Sequence, residues 1–311
     1  MPSNQVIETG LVKSPPWQTL GQRPFLFGHS LAKNPLFEVS QLAQIAESVA
    51  RRGSKYAVHS ASEDLKHLPQ KEQLVESIRR IDQGTAWLKM SSLNELDRRY
   101  EDVTQNFIAE VENLTNLPLR REITWSALTV FIASPHMVTP YHFDHDVNFL
   151  FQVHGEKDVW LYDQDDRFVL TEDEIEAFYR GNPTAGIYRD ELGDKGTRYH
   201  LSPGIAVHQP PLAPHLIRNG SSVSVSVSIY FALRSLDIRA RIYQANACLR
   251  QLGMHPLSPG LSPARDWLKS ATVQMISKRK PSSQSELLFS GMRRISASLR
   301  LANRVVGRSS H

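Results

Sequence analysis

The sequence predicts an α+β protein in which a small antiparallel barrel or jelly roll is flanked by helices on both sides. Three observations support this prediction: short strand-like segments separated by Gly and Pro in the middle of the chain, a strictly alternating strand after them, and helical apolar stripes before and after the strands. With 311 residues, of which 41% are hydrophobic, the chain is long enough to bury a large core.

Residues 1–120 contain three apolar stripes with helical spacing. The stripes are formed by Leu42, Ile45 and Val49, by Leu74, Ile78 and Ile81, and by Val103, Phe107, Val111 and Leu114. Ser92 followed by Glu95 resembles a capping box, which would begin another helix. Because each stripe is one-sided, we predict an N-terminal helical region that packs against the outer face of the barrel and carries no chemistry.

Residues 121–233 carry the strand signals of the barrel core. The segment 123–133 is rich in β-branched and aromatic residues, the segment 148–153 continues this pattern, and Gly155 marks a turn before a further strand at 157–162. Residues 221–231 alternate valine with serine, which predicts a half-buried strand with valines on one face and hydroxyls on the other.

Two histidines and an acid in this region have the pattern of a metal site. His142 and Asp144 form a His-x-Asp pair, and His215 follows at long range. Two imidazoles and one carboxylate are the donor set that holds non-haem Fe(II) on one side and leaves other positions open. In a strand alternate side chains share a face, so His142 and Asp144 are expected to point the same way. We interpret the remaining strand-region histidines as structural or surface residues, among them His136, His145, His154, His200 and His208.

Lys157 is a candidate anchor for an acidic co-substrate, which an open-sided Fe(II) needs in order to activate dioxygen. A lysine inside a barrel requires a compensating anion, and a bound dicarboxylate would provide one. The alternative is that Lys157 is an ordinary lysine at the rim of the barrel. Two nearby polar residues also have structural interpretations, since Thr139 could end a turn and Asn148 could close one. Asp146 is either a substrate contact or a solvated acid.

The segment from Ile123 to Phe231 resembles a cupin-type double-stranded β-helix, specifically the JmjC-like, cupin-8 type Fe(II)/2-oxoglutarate oxygenases. The first cupin motif is matched by His142, Asp144 and Gly155, with Asn148 in place of a glutamate. The second is matched by Gly204, Pro210, His215 and Asn219, with Leu212 in place of a glycine. A longer run is similar to the branch of the hypoxia-inducible-factor asparagine hydroxylase. It comprises Thr139, His142, Asp144, Asn148, Gln152, Gly155 and Lys157.

This resemblance implies specific roles for the site residues. His142, Asp144 and His215 would hold Fe(II), with 2-oxoglutarate and dioxygen as co-substrates. Thr139 and Lys157 would bind the 2-oxoglutarate carboxylate farthest from iron. Asn148 and Ser228 fall at further positions that contact the cofactor in the family. The implied reaction hydroxylates a protein or peptide side chain or a small metabolite and releases succinate and CO2.

Other functions stay open at this point. A non-catalytic cupin-fold binding or regulatory protein would need a broken triad or a filled anchor pocket, and the sequence shows neither. A cupin isomerase or a dioxygenase that uses no 2-oxoglutarate would not require Lys157. Demethylation of N-methyl-lysine is less favoured, because no cysteine cluster of a zinc finger or chromatin reader is present.

Residues 163–199 are polar and rich in acids and connect the two metal-bearing halves. This insert is interpreted either as a lid or substrate-recognition loop or as a solvated helix with a loop. Arg167, Tyr179 and Arg189 are its candidate substrate contacts.

Residues 234–277 predict two helices, because one apolar stripe ends at Gly253 and Ser262-Pro263 has the form of a helix start. The resemblance implies that these C-terminal helices form a homodimer.

Residues 278–311 hold eight basic residues and one acid. Their net charge is +7 against +4 for the whole chain, so the net charge of residues 1–277 is −3. This basic amphipathic tail suits docking on its own chain or dimer mate, on an acidic partner or on a membrane surface. No basic–aromatic cluster favours nucleic acid.

Cys248 is the only cysteine, which excludes an internal disulfide framework and favours a reducing compartment. The first residues lack an apolar signal-peptide core, and no apolar stretch approaches the length of a membrane span. We therefore expect a cytoplasmic protein.

Overall fold

The computed structural model describes residues 5–52, 56–60, 69–82 and 86–295, which form two compact units. Of the described residues, those up to 164 and residues 189–233 form the first unit. Residues 165–188 and 234–295 form the second. No helix among the described residues is both long and apolar enough to cross a bilayer.

The first unit is built on two antiparallel sheets. Its strands are β1 (Ile7–Glu8), β2 (Phe25–His29), β3 (Tyr56–Ser60), β4 (Ala86–Met90), β5 (Ile123–Ala133), β6 (Val138–His142), β7 (Val147–His154), β8 (Lys157–Leu161), β9 (Thr197–Leu201), β10 (Ile205–Gln209), β11 (His215–Asn219) and β12 (Ser224–Leu233). The large sheet has the order β1-β2-β10-β7-β12-β5-β4-β3, and the small sheet has the order β6-β11-β8-β9. This arrangement confirms the predicted α+β fold with a double-stranded β-helix.

The two sheets face each other across one apolar cluster. Leu150 and Val207 of the large sheet pack there with Val159, Leu161 and Leu201 of the small sheet. We call the surfaces of both sheets that point toward this cluster the inner face. Because side chains alternate along a strand, the residues two positions from each cluster member also lie on the inner face.

Strand β12 is buried on both faces, which differs from the half-buried strand that the sequence predicts. Its serines lie on the inner face, where Ser224 and Ser226 hydrogen-bond with the amide of Gln152. Its valines lie on the outer face, which helix α3 (Arg98–Thr115) covers. The Phe107 ring of α3 lies 4.8 and 5.0 Å from the rings of Phe149 and Phe151 in the neighbouring strand β7. The hydroxyls therefore line the interior instead of meeting solvent.

The first 120 residues contain more strand than the sequence predicts. Helices α1 (Val39–Arg52), α2 (Gln70–Arg79) and α3 follow the three apolar stripes, and α4 (Leu119–Glu122) is a single turn. Strands β1 to β4 also fall in this range and extend the large sheet, with β2 pairing β10 and β4 pairing β5. Ser92 does not cap a helix, because it adopts a left-handed backbone with φ of 56° and its side chain makes no capping hydrogen bond.

The second unit is helical. It contains α5 (Glu172–Tyr179), α6 (Arg234–Gln251), α7 (Pro263–Ile276) and a further helix, α8, over residues 284–295. The capping box of the chain is found here, between Thr171 and Glu174 at the start of α5. Two acids of the acid-rich segment 163–199 have a structural role, because Glu172 and Glu176 form ion pairs with Arg250 at 3.3 and 3.0 Å.

The core of the second unit includes Tyr179 and the start of the basic tail. Tyr179 is buried and stacks on Tyr243 with ring centroids 5.8 Å apart, so it is not a substrate contact. The apolar stripe of α8 packs on α6, because Leu288 and Met292 are buried and the Met292 Sδ lies 3.9 Å from Cys248 Sγ. The first part of the predicted basic tail therefore docks on its own chain, and residues 296–311 lie outside the described residues.

Candidate metal and co-substrate site

Three predicted donors converge at one end of the barrel. His142 and His215 are direct partners across β6 and β11, with ring centroids 4.2 Å apart. The Asp144 Oδ2 lies 3.8 Å from the His215 Nε2. One donor atom from each residue lies within 4.8 Å of the other two. In the described ranges this is the one group of His, Cys, Asp or Glu side chains with the geometry to hold a metal ion.

Both imidazoles present the nitrogen that a metal requires. The Nδ1 of His142 lies 2.7 Å from the Pro140 carbonyl, and the Nδ1 of His215 lies 3.0 Å from the Ala213 carbonyl. Because a carbonyl oxygen only accepts, each Nδ1 carries a proton, and each Nε2 is the ring nitrogen that is left for a metal. The donor orientation is therefore set before any ion binds.

The charges at this site also suit a divalent cation. Burial, together with the nearby charge of His142, lowers the pKa of His215 to about 4, so its imidazole is neutral near pH 7. Burial acts to raise the pKa of the Asp144 carboxyl, but His142, His215 and Lys89 together hold it below the usual value. The set therefore offers a neutral His215 imidazole and the Asp144 carboxylate beside the His142 imidazole, and these donor types match a facial Fe(II) site.

The sequence predicts that Asp144 lies on a strand with His142, but in the structure a loop holds it. Strand β6 ends at His142, and the Asp144 carbonyl accepts a 2.7 Å hydrogen bond from the Leu212 backbone N–H. Leu212 has a φ of +64°, a conformation that leucine rarely adopts, at the position where the cupin motif has glycine. Its side chain is only 2% exposed. The leucine thus keeps the glycine conformation and adds apolar burial.

A β-bulge brings Thr139 onto the same face as His142. His215 pairs with His142 and Ile217 pairs with Thr139, so three residues of β6 span two residues of β11. The extra residue shifts the alternation by one position. Thr139 and His142 therefore share the inner face, although plain alternation would place residues three apart on opposite faces.

Lys157 is a buried lysine that has no acidic partner in the part of the chain that the structure describes. It follows the turn at Gly155, where φ is +69° and a Cβ atom would lie 2.2 Å from the Val223 carbonyl oxygen. The side chain of Lys157 is on the inner face with Val159 and is 6% exposed. It has no hydrogen-bond or ion-pair partner among the described residues, and burial lowers its pKa to about 7. The side chain therefore favours an incoming anion.

Asn148 and Ser228 lie on the opposite wall of the barrel. The Ser228 hydroxyl donates to Asn148 Oδ1 at 2.6 Å, and the Asn148 Nδ2 donates to Gln209 Oε1 at 2.7 Å. The structure thus brings all seven predicted site residues to the inner face or its mouth. The small sheet contributes His142, His215, Thr139 and Lys157, and the loop after β6 contributes Asp144. The large sheet contributes Asn148 and Ser228.

Tyr230 is a further candidate site residue, which the sequence alone did not indicate. It follows Ser228 by two positions and pairs with Asn148, so alternation alone places it on the inner face. Burial and the neighbouring carboxylates of Asp146 and Asp144 raise its pKa. Tyr230 therefore stays a neutral hydroxyl donor beside the predicted metal ligands.

His208 has a structural role. Its Nε2 accepts from the Gly21 backbone N–H at 2.9 Å, and its Nδ1 donates to the Asn148 carbonyl at 3.1 Å. Burial lowers its pKa to about 3. Both ring nitrogens are engaged, so His208 is not a metal ligand.

Comparison with known families gives a match over most of the chain. The profile of the cupin-like domain family matches residues 22–264. No curated protein sequence matches the chain. Solved structures that resemble it include YcfD from Escherichia coli, with 15% identity, a TM-score of 0.43, and coverage of 86% of this chain and 67% of that chain.

Two further solved structures show the range of similarity. The structure of YcfD, a ribosomal oxygenase from Escherichia coli, with cobalt and 2-oxoglutarate has 15% identity and a TM-score of 0.43, covering 90% of this chain and 63% of that one. The DMSP lyase DddQ from Ruegeria pomeroyi DSS-3 has 16% identity and a TM-score of 0.22, covering 34% and 38%. This chain spans about two thirds of the YcfD length.

Proposed function

Since the chain belongs to the cupin-like domain family, we propose that its inner face is the active site of an Fe(II)- and 2-oxoglutarate-dependent dioxygenase. The observation that carries this proposal is the pairing of a three-donor cluster with a buried, unpartnered lysine on the same small sheet. A cupin that binds only a metal has no need of such a lysine. The prime substrate is a protein or peptide side chain or a small metabolite.

The spacing of the two features suits a five-carbon dicarboxylate. His215 pairs with Leu161, and Asn219 pairs with Lys157, so the metal donors and the lysine are four residues apart along β8 and β11. Four residues of a strand span roughly 13 Å. A 2-oxo acid chelated at one end and an extended lysine side chain at the other together bridge that length.

Each of the seven candidate site residues would have a defined role. His142, Asp144 and His215 would hold Fe(II) through two imidazole Nε2 atoms and one carboxylate. Lys157 and Thr139 would bind the far carboxylate of 2-oxoglutarate, while Asn148 and Ser228 would contact it from the large sheet. When bound, Fe(II), dioxygen and 2-oxoglutarate supply the oxidation, in which one oxygen atom enters a substrate C–H bond and the other enters succinate with loss of CO2.

The test measures both turnover and binding. Anaerobically purified protein receives Fe(II), ascorbate, 2-oxoglutarate and then air, and we expect succinate to form slowly without a prime substrate. Asp144→Ala is the matched control and should form none. If the wild-type protein forms no succinate and also binds neither Fe(II) nor 2-oxoglutarate, the dioxygenase proposal is wrong, and a non-catalytic binding protein takes its place.

The second unit carries an exposed apolar helix face, and we propose that this face forms a homodimer. On α7 the side chains of Trp267 and Met275 are 72% and 78% exposed, and Leu268 lies beside them. Apolar patches of this kind mark protein interfaces. Light scattering after size exclusion should give twice the mass of the chain, and Trp267→Glu should give the monomer. A wild-type monomer at every concentration would refute the dimer.

We also propose a cytoplasmic location for the protein. Cys248 is its only cysteine, is free and contacts Met292 in the second unit, which suits a reducing compartment. Fractionation of cells followed by immunodetection tests this proposal. Recovery of the protein from an oxidising compartment would contradict it.

A further inference from the structure

Three polar side chains form a relay across neighbouring strands of the large sheet. Ser228 of β12 donates to Asn148 of β7, which donates to Gln209 of β10. Asn148 and Gln209 are direct partners in the ladder and share the inner face with Val207 and Leu150. All three side chains therefore belong to the interior wall that faces the predicted co-substrate.

The relay ends in a buried polar atom without a partner. Gln209 is 2% exposed, and its Nε2 has no hydrogen-bond partner among the residues that the structure describes. Exchanging the nitrogen and oxygen of both amides keeps the two contacts and leaves the Gln209 oxygen free instead, so one end of this amide is unsatisfied in either orientation. Such a group lowers stability by about 1–3 kcal/mol. An apolar residue at this position would avoid that loss.

Gln209 also lies at the start of the loop that places His215. Pro210 and Pro211 follow it directly and restrict the backbone at this point. Further along the loop, the Leu212 N–H bonds to the Asp144 carbonyl, and the Ala213 carbonyl orients the His215 ring. A side chain at this junction is held in place by backbone on both sides, so it is a rigid support for the Asn148 amide.

We propose that Gln209 is a positioning residue that fixes the plane of the Asn148 amide toward the bound 2-oxo acid. The inference rests on the proposed function, since Asn148 is assigned there as a co-substrate contact. Ser228 and Gln209 bond to the two ends of that amide, so the plane and the position of the amide are fixed. The unsatisfied end of the Gln209 amide lowers stability. We infer that Gln209 is retained because its other end orders the Asn148 amide.

The first test is the binding of 2-oxoglutarate to Mn(II)-loaded protein, measured by calorimetry without turnover. Gln209→Met keeps the length and apolar volume of the side chain and removes its hydrogen bond to Asn148. We expect 2-oxoglutarate to bind about fivefold more weakly, the size of one neutral hydrogen bond, and Mn(II) to bind as before. Gln209→Asn, which is shorter but still polar, should give the same loss.

A double-mutant cycle separates positioning from a general structural effect. In an Asn148→Ala background, Gln209→Met should change 2-oxoglutarate affinity no further, because the amide that it orients is gone. Gln244→Met is the matched control, since Gln244 is a buried glutamine of the second unit whose Oε1 also lacks a partner. It should change the unfolding temperature without changing 2-oxoglutarate affinity.

The outcomes are distinct. If the wild-type protein binds 2-oxoglutarate and Gln209→Met and Gln209→Asn bind it equally well, Gln209 has no positioning role and the proposed function stands. Additive losses in the cycle would likewise overturn the inference. If the wild-type protein binds Mn(II) but no 2-oxoglutarate, both the inference and the proposed function fall.

Discussion

Lys157 and Asn219 face each other across β8 and β11; both are buried, and the Lys157 ammonium and the Asn219 Oδ1 each lack a partner among the described residues. An ammonium has three donor positions. One of them can be given to the Asn219 oxygen, and two then remain for a carboxylate. The pair therefore forms an anion site that is incomplete without its ligand.

The first prediction concerns Lys157→Met, which keeps the length of the side chain and removes its charge. We expect 2-oxoglutarate to bind about 10- to 150-fold more weakly, because hydrogen bonds to a charged group contribute about 1.5–3 kcal/mol. Fe(II) binding should not change, since Lys157 is four residues from the metal end of β8. Anaerobic titration of each ligand measures the two affinities separately.

The matched control for this variant is Lys33→Met. Lys33 is an exposed lysine whose ion pair with Glu8 lies on the surface. It should leave both affinities unchanged. Equal 2-oxoglutarate affinity in Lys157→Met and the wild-type protein would remove the anchor role.

A second prediction follows from the pKa of Lys157, which burial lowers to about 7. A dicarboxylate binds the protonated lysine, and above pH 7 the ligand-free protein must first take up a proton. The dissociation constant for 2-oxoglutarate should therefore rise about tenfold per pH unit above pH 7 and be nearly flat below it. Calorimetry at pH 6, 7, 8 and 9 measures this dependence.

The control for the pH profile is Lys157→Arg, because a guanidinium stays charged throughout this range. Its 2-oxoglutarate affinity should not follow the tenfold rise, whatever its absolute value. A wild-type profile that is flat from pH 6 to 9 would show that the lysine is charged throughout or takes no part in binding.

Much of this arrangement follows from local spacing in the sequence. The His-x-Asp pair, the distant His215 and the offset of Lys157 were sufficient to select side chains that the fold brings to one face. The alternation of β12 also separates an inner hydroxyl face from an outer valine face. These features could be predicted because each depends on strand periodicity over a few residues.

Other features depend on contacts between distant segments, and periodicity does not report them. The bulge that turns Thr139 inward exists only in the pairing of β6 with β11. Strand β2 has five residues and is recognisable only by its ladder with β10. Gln209 carries no motif of its own, and its relay to Asn148 became apparent only from the register of β7 and β10.

A third prediction tests the metal donors. His215→Ala should lower the bound Fe(II) from about one ion per chain to near zero, because two remaining donors do not hold a divalent ion well. Asp144→Ala should have the same effect. His154→Ala, an exposed histidine on β7, is the control and should retain the ion. Elemental analysis after gel filtration measures metal content, and full retention by His215→Ala would exclude it as a ligand.

The last prediction concerns Leu212, whose backbone has a φ of +64° while its side chain is 2% exposed. A left-handed leucine costs about 1–2 kcal/mol, whereas truncating a buried leucine costs about 2–5 kcal/mol. Since the burial outweighs the strain, Leu212→Gly should lower the free energy of unfolding by about 1–3 kcal/mol, measured by urea denaturation.

Leu212→Ala separates these two effects. It loses the same apolar contacts but keeps a Cβ in the left-handed conformation, so we expect it to be less stable than Leu212→Gly by about 1 kcal/mol. At an ordinary backbone position the order is reversed, because alanine restricts the unfolded chain more than glycine does. An alanine variant as stable as the glycine variant would mean that the loop relaxes, and the hydrogen bond from Leu212 to Asp144 would then not depend on this conformation.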